Sequence, residues 1–259
     1  MTEGVKSDAR NPFAGYWETQ ADRFGDSWEA TTDDYYLKTL EHKSLRRWMP
    51  PRARVLDVGC GNGFTSEHLV DTVADTVCGL DYSEGLLARA VVRRAGARQR
   101  RLHFLRGDGA ALPFKEGTFD AALTCRALMN LPDFARQIDA VFEIARVLRP
   151  GGQFICIEET VESLASLNRL RSRLGIHPVV ACHRNCLLAE REFLEAVSRV
   201  FSCVAVENFS SSYYLVTRLL YARVVREPRY NSWIHRLAST LPSVGTWSPL
   251  KTFVLRRRS

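Results

Sequence analysis

A turn rich in glycine carries the chemistry that is easiest to recognise in this chain. The apolar residues 55–58 lead directly into Gly59-Cys60-Gly61-Asn62-Gly63, in which three glycines alternate. Because glycine lacks a Cβ and tolerates a positive φ, such a turn folds sharply and brings backbone N–H groups close to a polar ligand. A helix expected from Phe64 adds the free N–H groups of its first turn. The pattern predicts a nucleotide-like ligand, and a glycine-rich turn without any ligand is the alternative.

The spacing of the glycines separates two cofactor classes. A dinucleotide-binding turn follows G-x-G-x-x-G, but here the third position is Phe64, whose ring would obstruct close packing of the helix on the strand. Asp81 follows the next apolar run, 22 residues after Gly59. A βαβ unit places there the carboxylate that accepts the ribose hydroxyls, although an acid at a strand end is often only solvated. The glycine spacing therefore disfavours NAD, whereas Asp81 still indicates a ligand that contains a ribose.

The combined motifs resemble those of the class I S-adenosylmethionine-dependent methyltransferases. Residues 57–63 have the D-x-G-x-G-x-G form of that family's motif I, and Gly107-Asp108 and Leu148-Arg149-Pro150-Gly151-Gly152 extend the resemblance over residues 55–158. The resemblance implies S-adenosyl-L-methionine as methyl donor, S-adenosyl-L-homocysteine as product, and the adenine amino group on Asp108. It implies cofactor contacts from Asp57, Gly59, Cys60, Gly61, Gly63, Asp81, Tyr82, Asp108, Gly109, Cys125 and Arg126.

Alternating strands and helices must position these residues. Apolar runs predict strands at 55–58, 76–80, 102–105, 119–125 and 153–158, with a helix at 133–148 before the last of them. This alternation implies a parallel sheet covered by helices on both faces. With further strands at 200–209 and 252–256, the predicted fold is an α/β, Rossmann-like sheet of seven mostly parallel strands whose last strand is antiparallel.

Segments outside this core are expected to decide the acceptor. Residues 1–50, rich in aromatic side chains, are predicted to form a helical lid with one helix at 33–48. Residues 51–259 are predicted to form the methyltransferase domain, with insertions at about 159–189 and 210–250. We expect helices at 190–200, 213–226 and 233–241.

Composition limits the protein class. The 259 residues are 46% hydrophobic and 25% charged, as in ordinary soluble globules, and neither an 18-residue apolar run nor a signal-peptide plan is present. A cytoplasmic protein with reduced cysteines is predicted. The net charge of +7 is spread over helix faces, so a nucleic-acid partner is disfavoured. Cys182, His183 and Cys186 lack a fourth ligand at suitable spacing, so no metal is predicted.

Methyl transfer is an in-line displacement, and an alcohol acceptor must lose a proton during attack. His183 is the predicted base, and Glu158 is the second catalytic candidate. Side chains expected to bind the acceptor are Tyr16, Trp17, Arg126, Asn130, Glu158, Asn168, Arg171, Asn185 and Tyr214. Several of these residues resemble a pattern in bacterial methyltransferases of saccharide and glycolipid gene clusters.

That resemblance favours O-methylation of a small-molecule acceptor: a hydroxyl of a sugar, glycolipid or natural product. N- or C-methylation of a small metabolite, including a quinone-type ring, is the enzymatic alternative. A non-catalytic sensor or scaffold that binds S-adenosylmethionine is the alternative of another class. The sequence is also compatible with a weak contact between a membrane surface and the arginine-containing helix at 213–226, and with a homodimer.

Overall fold

A computed structural model describes residues 13–95, 100–225 and 229–259. Residues 1–12 of the predicted lid and Arg226, the end of the predicted helix 213–226, lie outside these ranges. We refer to the described part of the lid, residues 13–50, as the lid segment.

Seven strands form one sheet in the order β3-β2-β1-β4-β5-β7-β6. Neighbouring strands from β3 to β5 pair in parallel, and β7 pairs antiparallel with both β5 and β6. The predicted fold class is therefore confirmed. The strand order reverses at β1 and β4, which in open α/β sheets creates a crevice outside the carboxyl ends of these strands. The strands are β1 (Arg54–Val58), β2 (Thr76–Asp81), β3 (Leu102–Arg106), β4 (Phe119–Cys125), β5 (Leu148–Glu159), β6 (Phe201–Glu207) and β7 (Leu250–Arg257).

Strand β5 begins five residues earlier than the sequence predicts, because the predicted turn lies inside it. Leu148 is opposite Phe119, whereas Gln153 is opposite Ala121, so residues 149–152 bulge out of the pairing. Gly151 has a φ of +75°, which supplies the expected turn conformation within this bulge.

Helices cover both faces of the sheet. Capping side chains mark several helix starts: Asp34, Ser83, Asp133 and Thr160 each accept a backbone N–H bond from the first turn. Helix α6 lies in the insertion after β5, where no helix was predicted. The helices are α1 (Ala14–Phe24), α2 (Tyr35–Trp48), α3 (Phe64–Thr72), α4 (Glu84–Val92), α5 (Phe134–Val147), α6 (Val161–Arg173), α7 (Glu190–Val197), α8 (Ser211–Tyr214), α9 (Tyr221–Val224) and α10 (Trp233–Ala238), with a π-helical turn at Leu215–Leu220 between α8 and α9.

Alternate residues of the central strands enter two separate apolar layers, as the period of two in a strand requires. Val55 and Ile155 pack in a layer with residues of α2, α3, α6 and the insertion after β6. Leu56 and Phe154 pack in the opposite layer with residues of α5 and α7. The lid helix α2 and the insertion after β6 therefore cover the same face of the sheet.

Candidate active site

A crevice opens at the carboxyl ends of β1, β2 and β4. Ten of the eleven predicted cofactor residues line it, and Gly63 is the exception. Residues that line it without having been predicted include Lys38, Thr31, Asn62, Ser83 and Leu86.

The glycine turn forms one wall of the crevice. Gly59 has a φ of +76°, and a Cβ at this position would lie 2.4 Å from the Cβ of Ala127. Its backbone N–H and that of Cys60 donate to the carbonyl of Leu80, at 2.7 and 3.1 Å, so the turn is fastened to the end of β2. Gly63 has a φ of +75°, and a Cβ there would lie 2.6 Å from the Phe104 ring. Gly63 therefore permits packing against β3 and lies outside the crevice wall.

Two carboxylates lie at the ends of the neighbouring strands β1 and β2: Asp57 is buried and Asp81 is half-buried. Asp81 accepts backbone N–H bonds from Gly61 at 2.7 Å and from Ser83 at 2.9 Å, which fixes its orientation beside the turn. Asp57 accepts a 2.5 Å bond from the Ser66 hydroxyl. Burial raises the pKa of Asp57 to about 6, and burial also raises the pKa of Asp81. Both groups favour a ligand that offers hydrogen-bond donors or positive charge.

Asp108 has a partner that the sequence did not indicate. Arg136 of α5 makes a 2.7 Å ion pair with one carboxylate oxygen, and the other oxygen accepts the backbone N–H of Ala110 at 2.9 Å. Asp108 lines the crevice in this fixed orientation.

The lid segment is tied across the crevice. Glu18 of α1 accepts bonds from the Ser83 hydroxyl and the Gly85 backbone N–H, both at 2.9 Å. On the other side, the Asn62 amide of the glycine turn donates to the carbonyls of Gly25 at 3.3 Å and Ser27 at 2.7 Å. These contacts hold α1 and the chain after it above the donor end of the crevice.

A buried charge cluster closes the other end. Glu41 of α2 is fully buried and lies between the ammonium group of Lys38, at 2.6 Å, and Nε of Arg126, at 3.1 Å. Cys125 donates to Glu41 at 3.3 Å. Burial alone would raise the pKa of Glu41, but Arg126 and Lys38 together hold it at about 2. The two cations line the crevice, whereas the carboxylate lies behind them. We call Lys38, Glu41, Cys125 and Arg126 the charge cluster.

Sequence reasoning missed Lys38 and Glu41, although a signal was present. Residues 38, 41 and 45 share one face of a helix, and Leu45 is fully buried. Charged residues in register with a core leucine indicate a buried ion pair or a site.

The two predicted catalytic residues do not face the crevice. His183 is exposed and lies outside the crevice wall. Glu158 is fully buried, and its carboxylate accepts the backbone N–H groups of Ala127, Leu128 and Met129 at 3.0, 2.9 and 3.2 Å. Burial raises the pKa of Glu158 to about 7. Glu158 therefore fixes the loop after β4 that carries Arg126, and the catalytic roles of Glu158 and His183 stay predictions.

Three of the predicted acceptor-binding residues line the crevice, namely Trp17, Arg126 and Asn130. Others instead hold the insertions together. The Asn168 side chain bonds to both the N–H and the carbonyl of Val179, at 2.8 and 2.9 Å, and Arg171 donates to the carbonyl of His177 at 2.7 Å.

The remaining three predicted acceptor residues do not line the crevice. The Arg184 guanidinium group lies over the Tyr16 ring, 3.6 Å from the ring centre. Asn185 donates its backbone N–H to the carbonyl of Cys182 at 2.8 Å, and Tyr214 is buried. Their contact with the acceptor stays a prediction.

The described ranges contain no group of three or more histidine, cysteine, aspartate or glutamate side chains placed to hold a metal ion. All seven cysteines are free thiols. In residues 13–95, 100–225 and 229–259, no helix has the length and apolar character needed to cross a bilayer.

Known proteins share both the sequence and the fold of this chain. Residues 56–156 match the family model of the methyltransferase domain. The chain is 37% identical over 112 residues to the demethylmenaquinone methyltransferase of Lactococcus lactis, which is 42% of this chain and 43% of that protein. It is 32% identical over 183 residues to the mouse eEF1A lysine and N-terminal methyltransferase, covering 66% of this chain and 24% of that protein.

Among solved structures, the S-adenosylmethionine-dependent methyltransferase of Mesorhizobium loti superposes with a TM-score of 0.56 at 23% identity. The superposition covers 86% of this chain and all of that one, and it shows a shared fold.

The sheet order and these matches define a methyltransferase domain at residues 56–156. The predicted class I family is confirmed for this domain. S-adenosylmethionine is the methyl donor of this family, so the predicted enzyme class and cofactor are confirmed at the family level. The chain spans less than half the length of each of the two curated relatives.

Proposed function

We propose that this protein transfers the methyl group of S-adenosylmethionine to the oxygen of a small acceptor with an acidic hydroxyl, such as a phenol or an enol. The observation that carries this proposal is the pair of cations, Lys38 and Arg126, at the end of the crevice opposite Asp108.

The donor is expected to lie along the glycine turn. Asp81 would accept the ribose hydroxyls, and Asp108 and Gly109 in the loop after β3 would hold the adenine. Asp57 would offer negative charge between these two positions. The carboxyl end of β4, where Cys125 and Arg126 follow one another, would then lie on the side of the methyl group.

Among the described residues that line the crevice, none is suited to act as a base toward a neutral alcohol. The titratable side chains that line the crevice are those of Lys38, Asp57, Cys60, Asp81, Tyr82, Asp108, Cys125 and Arg126. Burial raises the pKa of Cys125 to about 12, so a thiolate is not available. Asp57 and Asp81 lie on the donor side and already accept hydrogen bonds. An unactivated sugar hydroxyl would thus attack with its proton in place, which is slow.

An acidic hydroxyl avoids this difficulty because it loses its proton before attack. At this end of the crevice the charged groups on the wall are the cations Lys38 and Arg126, because their anionic neighbours Glu41 and Glu159 do not line it. This arrangement favours an anionic acceptor. The oxyanion attacks the methyl carbon, the C–S bond breaks, and its electron pair stays on sulfur to give S-adenosylhomocysteine. The protein contributes alignment and charge, and it needs no covalent intermediate.

A second candidate, C-methylation of a hydroquinone ring, is favoured by the similarity to demethylmenaquinone methyltransferase. The same cations would stabilise a phenolate, whose electron density also develops on the neighbouring ring carbon. The labelled methyl group distinguishes the products, because its carbon-13 chemical shift differs between an ether and a ring methyl.

The test is a turnover assay with carbon-13-labelled S-adenosylmethionine and two acceptor sets, phenols or hydroquinones against neutral sugars. We expect turnover with the acidic set only. Lys38→Met should lower kcat with a phenol by about 10²-fold, with donor affinity unchanged. Lys43→Met is the matched control, because Lys43 lies on the same helix and donates to the Ser239 carbonyl outside the crevice.

The double variant Lys38→Met/Glu41→Gln guards against misfolding, because it removes the buried carboxylate together with its partner. It should fold and remain slow. Equal turnover of neutral sugars, or full activity of a folded Lys38→Met protein, would contradict the proposal. Absence of turnover with every acceptor would favour a binding protein.

A further inference from the structure

The insertion after β6 leaves an unusual number of large apolar side chains in solvent. Leu220 is 57% exposed, Val224 80%, Trp233 74% and Leu237 52%. Leu220 and Val224 are four residues apart, as are Trp233 and Leu237, so each pair lies on one side of its helical segment. Scattered surface leucines need no explanation, but a cluster that includes a tryptophan indicates an interaction site.

The same insertion is strongly basic. Residues 210–250 contain five arginines and a single acidic residue, Glu227, a net charge of +4. Arg223, Arg229 and Arg236 are exposed, and none of them has an ion-pair partner among the residues that the structure describes. Arg223 and Arg236 lie three residues from Leu220 and Trp233, respectively. We call Leu220, Arg223, Val224, Trp233, Arg236 and Leu237 the apolar–basic surface.

The inner side of the insertion is firmly packed, so the exposure of the outer side is not a result of loose structure. Arg218 pairs with Asp34, the N-cap of α2, at 2.9 Å, and the Tyr213 hydroxyl donates to the same carboxylate at 2.6 Å. Asn231 accepts the backbone N–H of Tyr35 at 2.8 Å, and His235 of α10 is fully buried. The insertion is thus fixed to α2, the helix that contributes Lys38 to the crevice.

We propose that the apolar–basic surface docks on an anionic lipid bilayer. Tryptophan is enriched at membrane–water interfaces, and arginines beside an apolar helix side are attracted to anionic headgroups. A second copy of the chain is disfavoured as the partner of this surface, because a twofold interface would bring together two insertions that each carry a net charge of +4. Nucleic acid is disfavoured as the partner, because most contacts to nucleic acid are made to phosphates and the leucine, valine and tryptophan side chains of this surface cannot form them.

In this orientation the outer side of the insertion contacts the membrane. Helix α2 packs on the inner side of the insertion and faces the crevice. The acceptor end of the crevice is then held close to the bilayer surface by the Arg218–Asp34 pair. The inference is independent of the acceptor proposed above, and it can succeed where that proposal fails.

The test is co-sedimentation of the full chain with vesicles of phosphatidylcholine alone or mixed equally with phosphatidylglycerol. We expect binding to the mixed vesicles, weakened by salt. The variant Trp233→Ser/Leu237→Ser should lower the partition coefficient about tenfold or more, because two apolar side chains no longer enter the interface. Val180→Ser is the matched control, since Val180 is 84% exposed in the other insertion.

Calorimetric binding of S-adenosylhomocysteine, unchanged in both variants, shows that they fold. Equal vesicle binding by the wild type and Trp233→Ser/Leu237→Ser would overturn the proposal. So would vesicle-independent dimers in sedimentation velocity that this variant dissociates, because the surface would then be an interface between copies.

Discussion

The donor and acceptor ends of the crevice are built in different ways. At the donor end, backbone groups of one short turn and carboxylates at the ends of adjacent strands do the positioning, as with Gly59 and Asp81. At the acceptor end, long side chains from distant segments meet: Lys38 and Glu41 come from the lid segment and Arg126 from the loop after β4. Donor binding should thus be sensitive to backbone geometry, whereas acceptor turnover should be sensitive to charge.

The largest effect is expected at Gly59, where the donor end of the crevice has no space for a side chain. Gly59→Ala places a Cβ 2.4 Å from the Cβ of Ala127 at a φ of +76°, so the turn must shift. Donor affinity should fall by about 10²-fold or more, measured by calorimetry. Gly151→Ala is the matched control, because its φ is +75° but nothing lies within 4 Å of the added Cβ. It should lose some stability and keep its donor affinity; equal affinity losses in both variants would contradict the account.

A second prediction concerns Glu158, which supports the acceptor end through the loop after β4. The pKa of Glu158 in the folded protein, about 7, lies above the ordinary glutamate value of 4.5. Between these two pH values the native state therefore keeps a proton that the unfolded chain releases. The free energy of unfolding should fall as the pH rises through this window, by about 3 kcal/mol from this group alone. Glu158→Gln should flatten that slope in urea titrations at about pH 5 and about pH 8.

Turnover of Glu158→Gln should stay within about threefold of the wild type, because Gln retains an acceptor for the loop N–H groups. A loss of about 10²-fold or more with donor affinity intact would restore Glu158 as a general base.

A smaller effect is expected in the lid segment, which connects the donor and acceptor ends of the crevice. Glu18→Ala removes the acceptor for Ser83 and Gly85, which frees α1 from the N-terminus of α4. Donor dissociation should accelerate about three- to tenfold, measured by stopped-flow fluorescence. Asp22→Ala, an exposed position on the same helix, should leave the rate unchanged. Identical rates for all three proteins would mean that α1 does not retain the donor.

The smallest effect is expected at His183. This side chain is exposed outside the crevice wall, so His183→Ala should change kcat/KM by less than about twofold. A large loss of kcat in steady-state assays would show that the insertion after β5 closes over the acceptor during turnover.

The fold and the donor end could be predicted from sequence because both follow from local rules. A parallel sheet brings the carboxyl ends of its strands to one edge, so Asp81 and Asp108 converge with the glycine turn whatever the loops do. Gly63 shows the limit of such rules, since its contact with Phe104 depends on the distance between α3 and β3.

The acceptor end could not be predicted in the same way. Asn168 and Arg171 looked like binding residues because they are polar and follow a strand end, but they hydrogen-bond to the backbone of neighbouring segments. Lys38 and Glu41 were not predicted as site residues, because only the docking of α2 on the sheet buries them. Such contacts depend on the packing of segments far apart in sequence, which residue types and spacing do not specify.

We expect the crevice at Gly59 and Asp81 to hold S-adenosylmethionine. Calorimetric titration of S-adenosylhomocysteine into the wild type and into Asp81→Ala measures this binding. One site per chain is expected in the wild type, and an affinity at least about tenfold weaker in the variant. No binding to the wild type, or equal affinity in a folded Asp81→Ala protein, would contradict it.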